Sequence, residues 1–191
     1  MSPYPVQITD DQILESARHI IEQEGLDELS LAHLATNLGI KAPSLYKHFA
    51  SKGDLLKALI TVTLVELVAV MSQVDNTLTP RARLLEMARK YRIFAHAHPT
   101  LYSLAFAHIM PNTRPDPTVL EQLALPLQAS FAALVGDEKA LVGLRGAWAL
   151  LHGFVMLELN EQFQRGGDLD AVFIQTLNAY LDGWEYTGGR L

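Results

Sequence analysis

Apolar side chains recur every three or four residues along most of the chain, which predicts a series of α-helices and no β-strand. The pattern is clear after Thr9, where Ile13, Ala17, Ile20 and Ile21 would share one helix face. Capping side chains precede such segments, and glycine or proline follows them. The sequence therefore predicts an all-α fold of about nine helices.

Short connections join the predicted helices, and none of them resembles a long linker. The helices are predicted over about 10–24, 31–38, 42–48, 52–74, 80–98, 99–110, 117–135, 137–165 and 169–184. We place the domain boundary inside the long fourth helix. Residues 1–55 would form a three-helix N-terminal domain, and residues 56–191 would form a larger helical domain.

Composition narrows the class of protein. Hydrophobic residues make up 49% of the 191 positions, and there is no cysteine for a disulfide or a thiolate metal site. The first eleven residues lack the basic and apolar regions of a signal peptide. The longest apolar stretch without a charge is too short to cross a bilayer. We therefore expect a cytoplasmic protein with no membrane segment.

The motifs of common enzyme classes are absent from the sequence. It contains no Gly-x-Ser-x-Gly, no glycine-rich phosphate loop and no Glu-x-x-His pair at metal-ligand spacing. His96 and His98 are two residues apart and so would not share a helix face. We therefore expect no enzyme activity, no metal and no cofactor.

Residues 30–57 carry the strongest functional pattern, two short helices joined by a tight turn at Gly39. Packing of the apolar positions would leave Lys41, Ser44, Tyr46, Lys47 and His48 on the outer side of the second helix. Four lysines and one acid lie between positions 41 and 57, in a chain of net charge −6. Such a basic segment suits DNA phosphates. The alternative is an ordinary solvated face, with the tyrosine and the histidine used in packing.

The sequence Pro-Ser-Leu-Tyr-Lys-His-Phe at 43–49, followed by Ser51-Lys52 and Leu55-Leu56, resembles the signature of the TetR family. The similarity extends over about residues 9–60. It implies a helix-turn-helix whose DNA-facing residues are Ser30, Lys41, Ala42, Ser44, Tyr46, Lys47, His48 and Lys52. Many relatives have a basic residue before the first helix, whereas this chain has Asp10 and Asp11. We therefore expect no N-terminal arm in the minor groove.

A second string, from Trp148 to His152 and Gly153, resembles a C-terminal domain type of some TetR-like regulators and covers about residues 80–185. Apolar stripes on the last two helices would form a homodimer interface, or simply the core. Aromatic, histidine and methionine side chains would line an effector cavity, although the same residues could be plain core. These candidates are Phe94, His98, Tyr102, Phe106, His108, Met110, Trp148, His152 and Met156.

The resemblance implies a transcriptional regulator without enzyme activity. We expect a homodimeric repressor that binds a pseudo-palindromic double-stranded operator. Its half-sites would lie about 34–36 Å apart, or a multiple of that distance. A small, largely apolar or aromatic effector bound in the C-terminal domain would change its affinity for the operator.

Overall fold

The computed structural model describes residues 8–107 and 112–188, and within these ranges the chain forms nine α-helices and no strand. The all-α prediction is confirmed. The helices are α1 (Asp10–Glu24), α2 (Leu31–Asn37), α3 (Ala42–Leu45), α4 (Lys52–Ser72), α5 (Pro80–Ala97), α6 (Pro99–Phe106), α7 (Pro117–Val135), α8 (Asp137–Leu159) and α9 (Leu169–Gly188).

Helix starts follow the capping residues that the sequence indicates. The Thr9 hydroxyl accepts a hydrogen bond from the Gln12 N–H at 3.3 Å, and the Gln12 side chain accepts from the Thr9 N–H at 3.0 Å. The Ser30 hydroxyl accepts from the His33 N–H at 3.1 Å at the start of α2. These bonds satisfy N–H groups that have no partner inside the helix.

The predicted end of α8 near Arg165 is wrong, because the helix ends at Leu159. The Asn160 side chain donates to the Met156 carbonyl at 2.7 Å, in competition with the backbone. Glu161 then adopts a left-handed conformation with φ 53°. Such a residue closes a helix as glycine often does, but a glutamate gives no sequence signal for it.

Two shorter helices also end earlier than predicted. The sequence predicted a helix to about His48, but α3 ends at Leu45, and the His48 N–H donates to the Leu45 carbonyl three residues back at 2.9 Å. The prediction that α6 continues to about Met110 is likewise wrong, since α6 ends at Phe106 and Ala107 has extended backbone with ψ 141°. Met110 itself lies outside the described residues.

The first compact unit comprises residues 1–64 and 98–116. In it α1 packs against α2 and α6, and α2 packs against α3. The N-terminal end of α6 meets α1 at Glu22, whose Oε1 lies 3.7 Å from His98 Nδ1. Burial raises the pKa of Glu22, opposed by the nearby His98 and the Leu101 N–H. The unit's buried apolar side chains include Ile13, Ala17, Ile20, Ile21, Leu34 and Leu45.

The second compact unit comprises residues 65–97 and 117–191, and α7 packs along α8 within it. A Cβ atom at Gly143 would lie 2.3 Å from the buried ring of Phe131, so the close approach of the two helices depends on glycine there. The Tyr180 hydroxyl on α9 donates to the Gly143 carbonyl at 2.8 Å. α9 continues to Gly188, beyond its predicted end near Trp184.

A charged cluster joins three helices of the second unit. Arg92 on α5 donates to both carboxylate oxygens of Glu158 on α8, at 2.6 and 2.8 Å. It also donates to Asp170 on α9 at 2.6 Å and lies 5.0 Å from the centre of the Phe173 ring. These carboxylates raise the pKa of Arg92, and the hydrogen bonds to Glu158 have the largest effect. The Glu158 side chain is almost fully buried, and His96 Nε2 also lies 3.2 Å from its carboxylate.

Three helices, α4, α7 and α8, are long and apolar enough to cross a membrane by length and hydropathy alone. From the length of uninterrupted apolar runs we expected no segment long enough to cross a bilayer. By helix length and mean hydropathy this expectation is wrong. Average hydropathy tolerates the few charged residues that interrupt such runs. In α4, 50% of the most apolar stretch is buried inside the protein.

Candidate nucleic-acid interface and apolar cavity

The turn between α2 and α3 fixes the direction of the segment that follows it. Gly39 has φ +65°, a conformation that side chains disfavour, and its N–H donates to the Thr36 carbonyl at 3.1 Å. The Ile40 N–H donates to the Ala35 carbonyl at 3.0 Å. Leu45 is fully buried, which anchors α3 on its inner side.

Apart from Ser30, which caps α2, the residues predicted to face DNA lie between Lys41 and Lys52. Tyr46 is 56% exposed although it is a large aromatic residue. The other predicted residues are exposed (Ser30, Lys41, Lys47 and His48) or half-buried (Ala42, Ser44 and Lys52).

Lys52 occupies the first position of α4, held there by a local cap. The Ser51 hydroxyl accepts from the Asp54 N–H at 3.1 Å and donates to the Asp54 carboxylate at 2.7 Å. The capping-box spacing of these two residues predicted this contact. The cap therefore fixes the backbone at Lys52. The Lys52 side chain is long and flexible, so its ammonium group can adjust to the position of a phosphate.

One contact at this surface was not anticipated from the sequence. His48 Nδ1 lies 2.6 Å from Asp10 Oδ1, at the first residue of α1. The two residues are 38 positions apart. Because Asp10 lies far from the helix-turn-helix in the sequence, no residue spacing predicted this contact. From the sequence only the negative charge of Asp10 could be considered.

The candidate effector residues fall into both compact units. Phe94, Trp148, His152 and Met156 belong to the second unit, whereas His98, Tyr102 and Phe106 belong to the first. The Tyr102 and Phe106 rings pack at 4.9 Å between centroids, with Tyr102 fully buried. His108 and Met110 lie outside the described residues.

Within the second unit, Tyr91 joins two of these candidates. Its ring meets Trp148 edge-on at 5.3 Å, and its hydroxyl lies 3.5 Å from His152 Nδ1. Burial lowers the pKa of His152, which favours the neutral imidazole. Tyr91, fully buried, was not among the predicted residues.

An apolar cavity of about 40 Å³ lies among α4, α5, α7, α8 and α9 of the second unit. No charged side chain lines it. Trp148 is the one predicted effector residue in its wall. The remaining lining could not be told from ordinary core by helical periodicity. The lining comprises Met71, Leu84, Leu85, Met87, Ala88, Leu127, Phe131, Leu144, Ala147, Trp148, Leu151, Leu177, Tyr180 and Leu181.

Among the residues that the structure describes, no three histidine, aspartate or glutamate side chains lie together so that they could hold a metal ion. The chain therefore offers a segment with exposed lysine, tyrosine and histidine side chains, and an apolar cavity in the second unit.

Two family models match the chain, one in its N-terminal part and one in its C-terminal part. Residues 13–59 match the family described as bacterial regulatory proteins, tetR family. Residues 84–180 match the tetracyclin repressor-like C-terminal domain. The uncharacterized HTH-type transcriptional regulator Rv0681 of Mycobacterium tuberculosis is 34% identical over 185 residues, covering 95% of this chain and 84% of that protein.

Solved structures share the fold at lower identity. A TetR variant from Acinetobacter baumannii AYE in complex with minocycline has a TM-score of 0.73 and 22% identity, over 95% of this chain and 98% of the other. BioQ, solved with its double-stranded DNA operator, has a TM-score of 0.69 and 23% identity, over 94% and 99%. The matched proteins are regulators and not enzymes.

Proposed function

The chain belongs to the TetR family of bacterial transcriptional regulators, and on that premise we propose that it is a ligand-controlled repressor. In this proposal residues 1–55 bind a pseudo-palindromic operator in the cytoplasm. Residues 56–191 form the dimerisation and effector domain. The observation that carries the proposal is the exposed Tyr46 beside three lysines on a helix-turn-helix in a chain of net charge −6.

The proposed DNA contacts follow the chemistry of each side chain. Lys41, Lys47 and Lys52 would neutralise backbone phosphates. Tyr46 and His48 would donate hydrogen bonds to phosphates or base edges, and the hydroxyls of Ser30 and Ser44 would do the same. Ala42 at the start of α3 would offer only apolar contact, so base recognition would be sparse.

A homodimer is supported by apolar side chains that the single chain leaves in solvent. On α8, Leu141, Val142 and Leu157 are exposed, and on α9 Val172 is exposed. A second copy would cover these helices in a four-helix arrangement. The two-fold axis would then place one α3 in each of two successive major grooves.

We propose a small apolar or aromatic effector that enters the second unit next to Trp148. The uncharged lining of the cavity supports this ligand class. A drug-sized ligand needs roughly 300–1,000 Å³, so binding would require the wall to move apart. This movement would favour one dimer spacing over another, and the effector would release the operator.

The experiment is selection of genomic fragments by the purified protein, followed by footprinting. The expected result is a protected pseudo-palindrome with half-sites about 34–36 Å apart, occupied by two chains. The Tyr46→Ala variant should recover no such fragment. Selection of unrelated fragments by both proteins would contradict the proposal.

The effector proposal has its own measurement, the thermal stability of the protein in the presence of a set of aromatic and aliphatic compounds, both uncharged and charged. A compound that raises Tm and releases the operator fragment supports it. A Trp148→Leu variant should lose the rise in Tm while it retains operator binding. If only charged compounds act, the proposed ligand class is wrong.

A further inference from the structure

A hydrogen bond between Asp10 on α1 and His48, after α3, fixes the position of the His48 ring. His48 Nδ1 and Asp10 Oδ1 are 2.6 Å apart, within the range of charge-assisted hydrogen bonds. A carboxylate only accepts, so Nδ1 carries the proton in this pair. The bond holds the imidazole ring in one orientation relative to α1.

The second ring nitrogen is the one left for a partner. Nε2 lies on the other side of the ring from Nδ1 and therefore points away from Asp10. The His48 side chain is 26% exposed, and it follows the exposed Tyr46 and Lys47 in sequence. A phosphate oxygen has no proton to donate, so it requires a proton on Nε2 as well.

We propose that Asp10 is a positioning residue for DNA binding: it holds the His48 ring so that Nε2 donates to a backbone phosphate. The inference rests on the proposed function, because it requires the α3 segment to lie on DNA. It also gives a role to an acidic residue that, judged by charge alone, would only repel the phosphates.

The neighbouring acid provides a matched control. Asp11 is also exposed and also lies in the first turn of α1, so it carries the same charge next to the same helix end. Simple electrostatics predicts that removal of either acid raises DNA affinity, because a charge that repels phosphates is lost. The positioning role predicts opposite signs for the two substitutions.

The test measures the affinity of Asp10→Ala, Asp11→Ala, His48→Ala and the Asp10→Ala/His48→Ala double variant for the selected operator duplex. Asp11→Ala should bind as tightly as the wild type or slightly more tightly. Asp10→Ala and His48→Ala should each bind about a hundredfold more weakly, as for one lost charge-assisted bond of about tenfold in each half-site. The double variant should bind no more weakly than either single variant, because the two residues act together.

A salt series separates positioning from a purely structural tie. Loss of one phosphate contact in each half-site should reduce the slope of log affinity against log salt by about 1.8. The ring ¹⁵N shifts of His48 should report a hydrogen bond donated by Nε2 in the wild-type complex and not in Asp10→Ala. Thermal unfolding of each variant shows whether it is folded at the assay temperature.

The outcomes are distinct. An Asp10→Ala variant that binds as tightly as Asp11→Ala overturns the inference, as does a weaker affinity with an unchanged salt slope. If the wild type recovers no operator at all, the proposed function fails and this inference fails with it. Wild-type binding with the wrong response at Asp10 refutes the positioning role alone.

Discussion

Gly143 is the position where the packing of α7 on α8 is most sensitive to one added carbon. An alanine Cβ would lie 2.3 Å from Phe131 Cε1 and 2.6 Å from Cδ1. The ring must therefore retreat by about 1 Å to reach an ordinary contact distance. Phe131 is 2% exposed, and its ring centroid lies 6.4 Å from those of Tyr180 and Trp184, so the displacement would disturb both.

Two contributions to the free energy of unfolding oppose each other in Gly143→Ala: the gain in helix propensity and the cost of overpacking. Alanine in place of glycine inside a helix stabilises by about 1 kcal/mol. Overpacking of a buried site costs about 1–3 kcal/mol, and a 1 Å displacement lies toward the upper end. We expect Gly143→Ala to lower the free energy of unfolding by about 1–2 kcal/mol, and Tm by about 2–8 °C.

The same substitution ten residues further along α8 is the control. A Cβ at Gly153 would meet nothing within 4 Å, so Gly153→Ala gains helix propensity without a clash. Its Tm should rise by about 2–4 °C. Scanning calorimetry of both variants gives the comparison. In a Phe131→Leu background, Gly143→Ala should cost less than it does in the wild type, because the smaller side chain relieves the overlap.

Equal stabilisation by Gly143→Ala and Gly153→Ala would refute this reasoning, since it would mean that the Phe131 ring moves without cost. A Gly143→Ala loss that Phe131→Leu does not reduce would also refute it. In that case the contact with the Phe131 ring would not be the source of the instability.

Three further changes test other contacts. Glu22→Gln should raise stability at pH 7 by no more than about 1 kcal/mol. The raised pKa means that the folded state keeps its proton above the unfolded value of 4.5, so the carboxylate costs stability as pH rises and the gain should vanish in acid melts. Glu158→Ala should cost about 2–3 kcal/mol in urea unfolding, because Arg92 retains only Asp170, and a loss below 0.5 kcal/mol would contradict this. Ser30→Ala should cost about 1 kcal/mol through the lost cap of α2, and an unchanged Tm would contradict it.

Helix starts could be predicted from the sequence because their causes are local. Thr9 with Gln12 and Ser51 with Asp54 are three residues apart. The first pair forms both bonds of a capping box, and in the second the Ser51 hydroxyl accepts from the Asp54 N–H. Helix ends were less accurate. The end of α8 depends on the left-handed backbone conformation of Glu161, which a glutamate in the sequence does not indicate.

Contacts between distant parts of the chain could not be predicted in the same way. Asp10 reaches His48 only after α1 has folded against the helix-turn-helix, and the close approach at Gly143 exists only once α7 crosses α8. The cavity shows the same limit. Leu127 and Phe131 have the spacing of ordinary core residues, and nothing in the pattern separates a cavity wall from a filled core.

The central claim, that the segment from Lys41 to Lys52 binds operator phosphates, is tested most directly by a salt series with the selected operator duplex. The variants are Tyr46→Ala/Lys52→Ala and, as a charge-matched control on α5, Lys90→Ala. The wild type should lose affinity steeply with salt, and the double variant should bind weakly with a slope reduced by about 1.8, one phosphate in each half-site. Lys90→Ala should behave as the wild type. A double variant whose affinity and slope equal those of the wild type would contradict the claim.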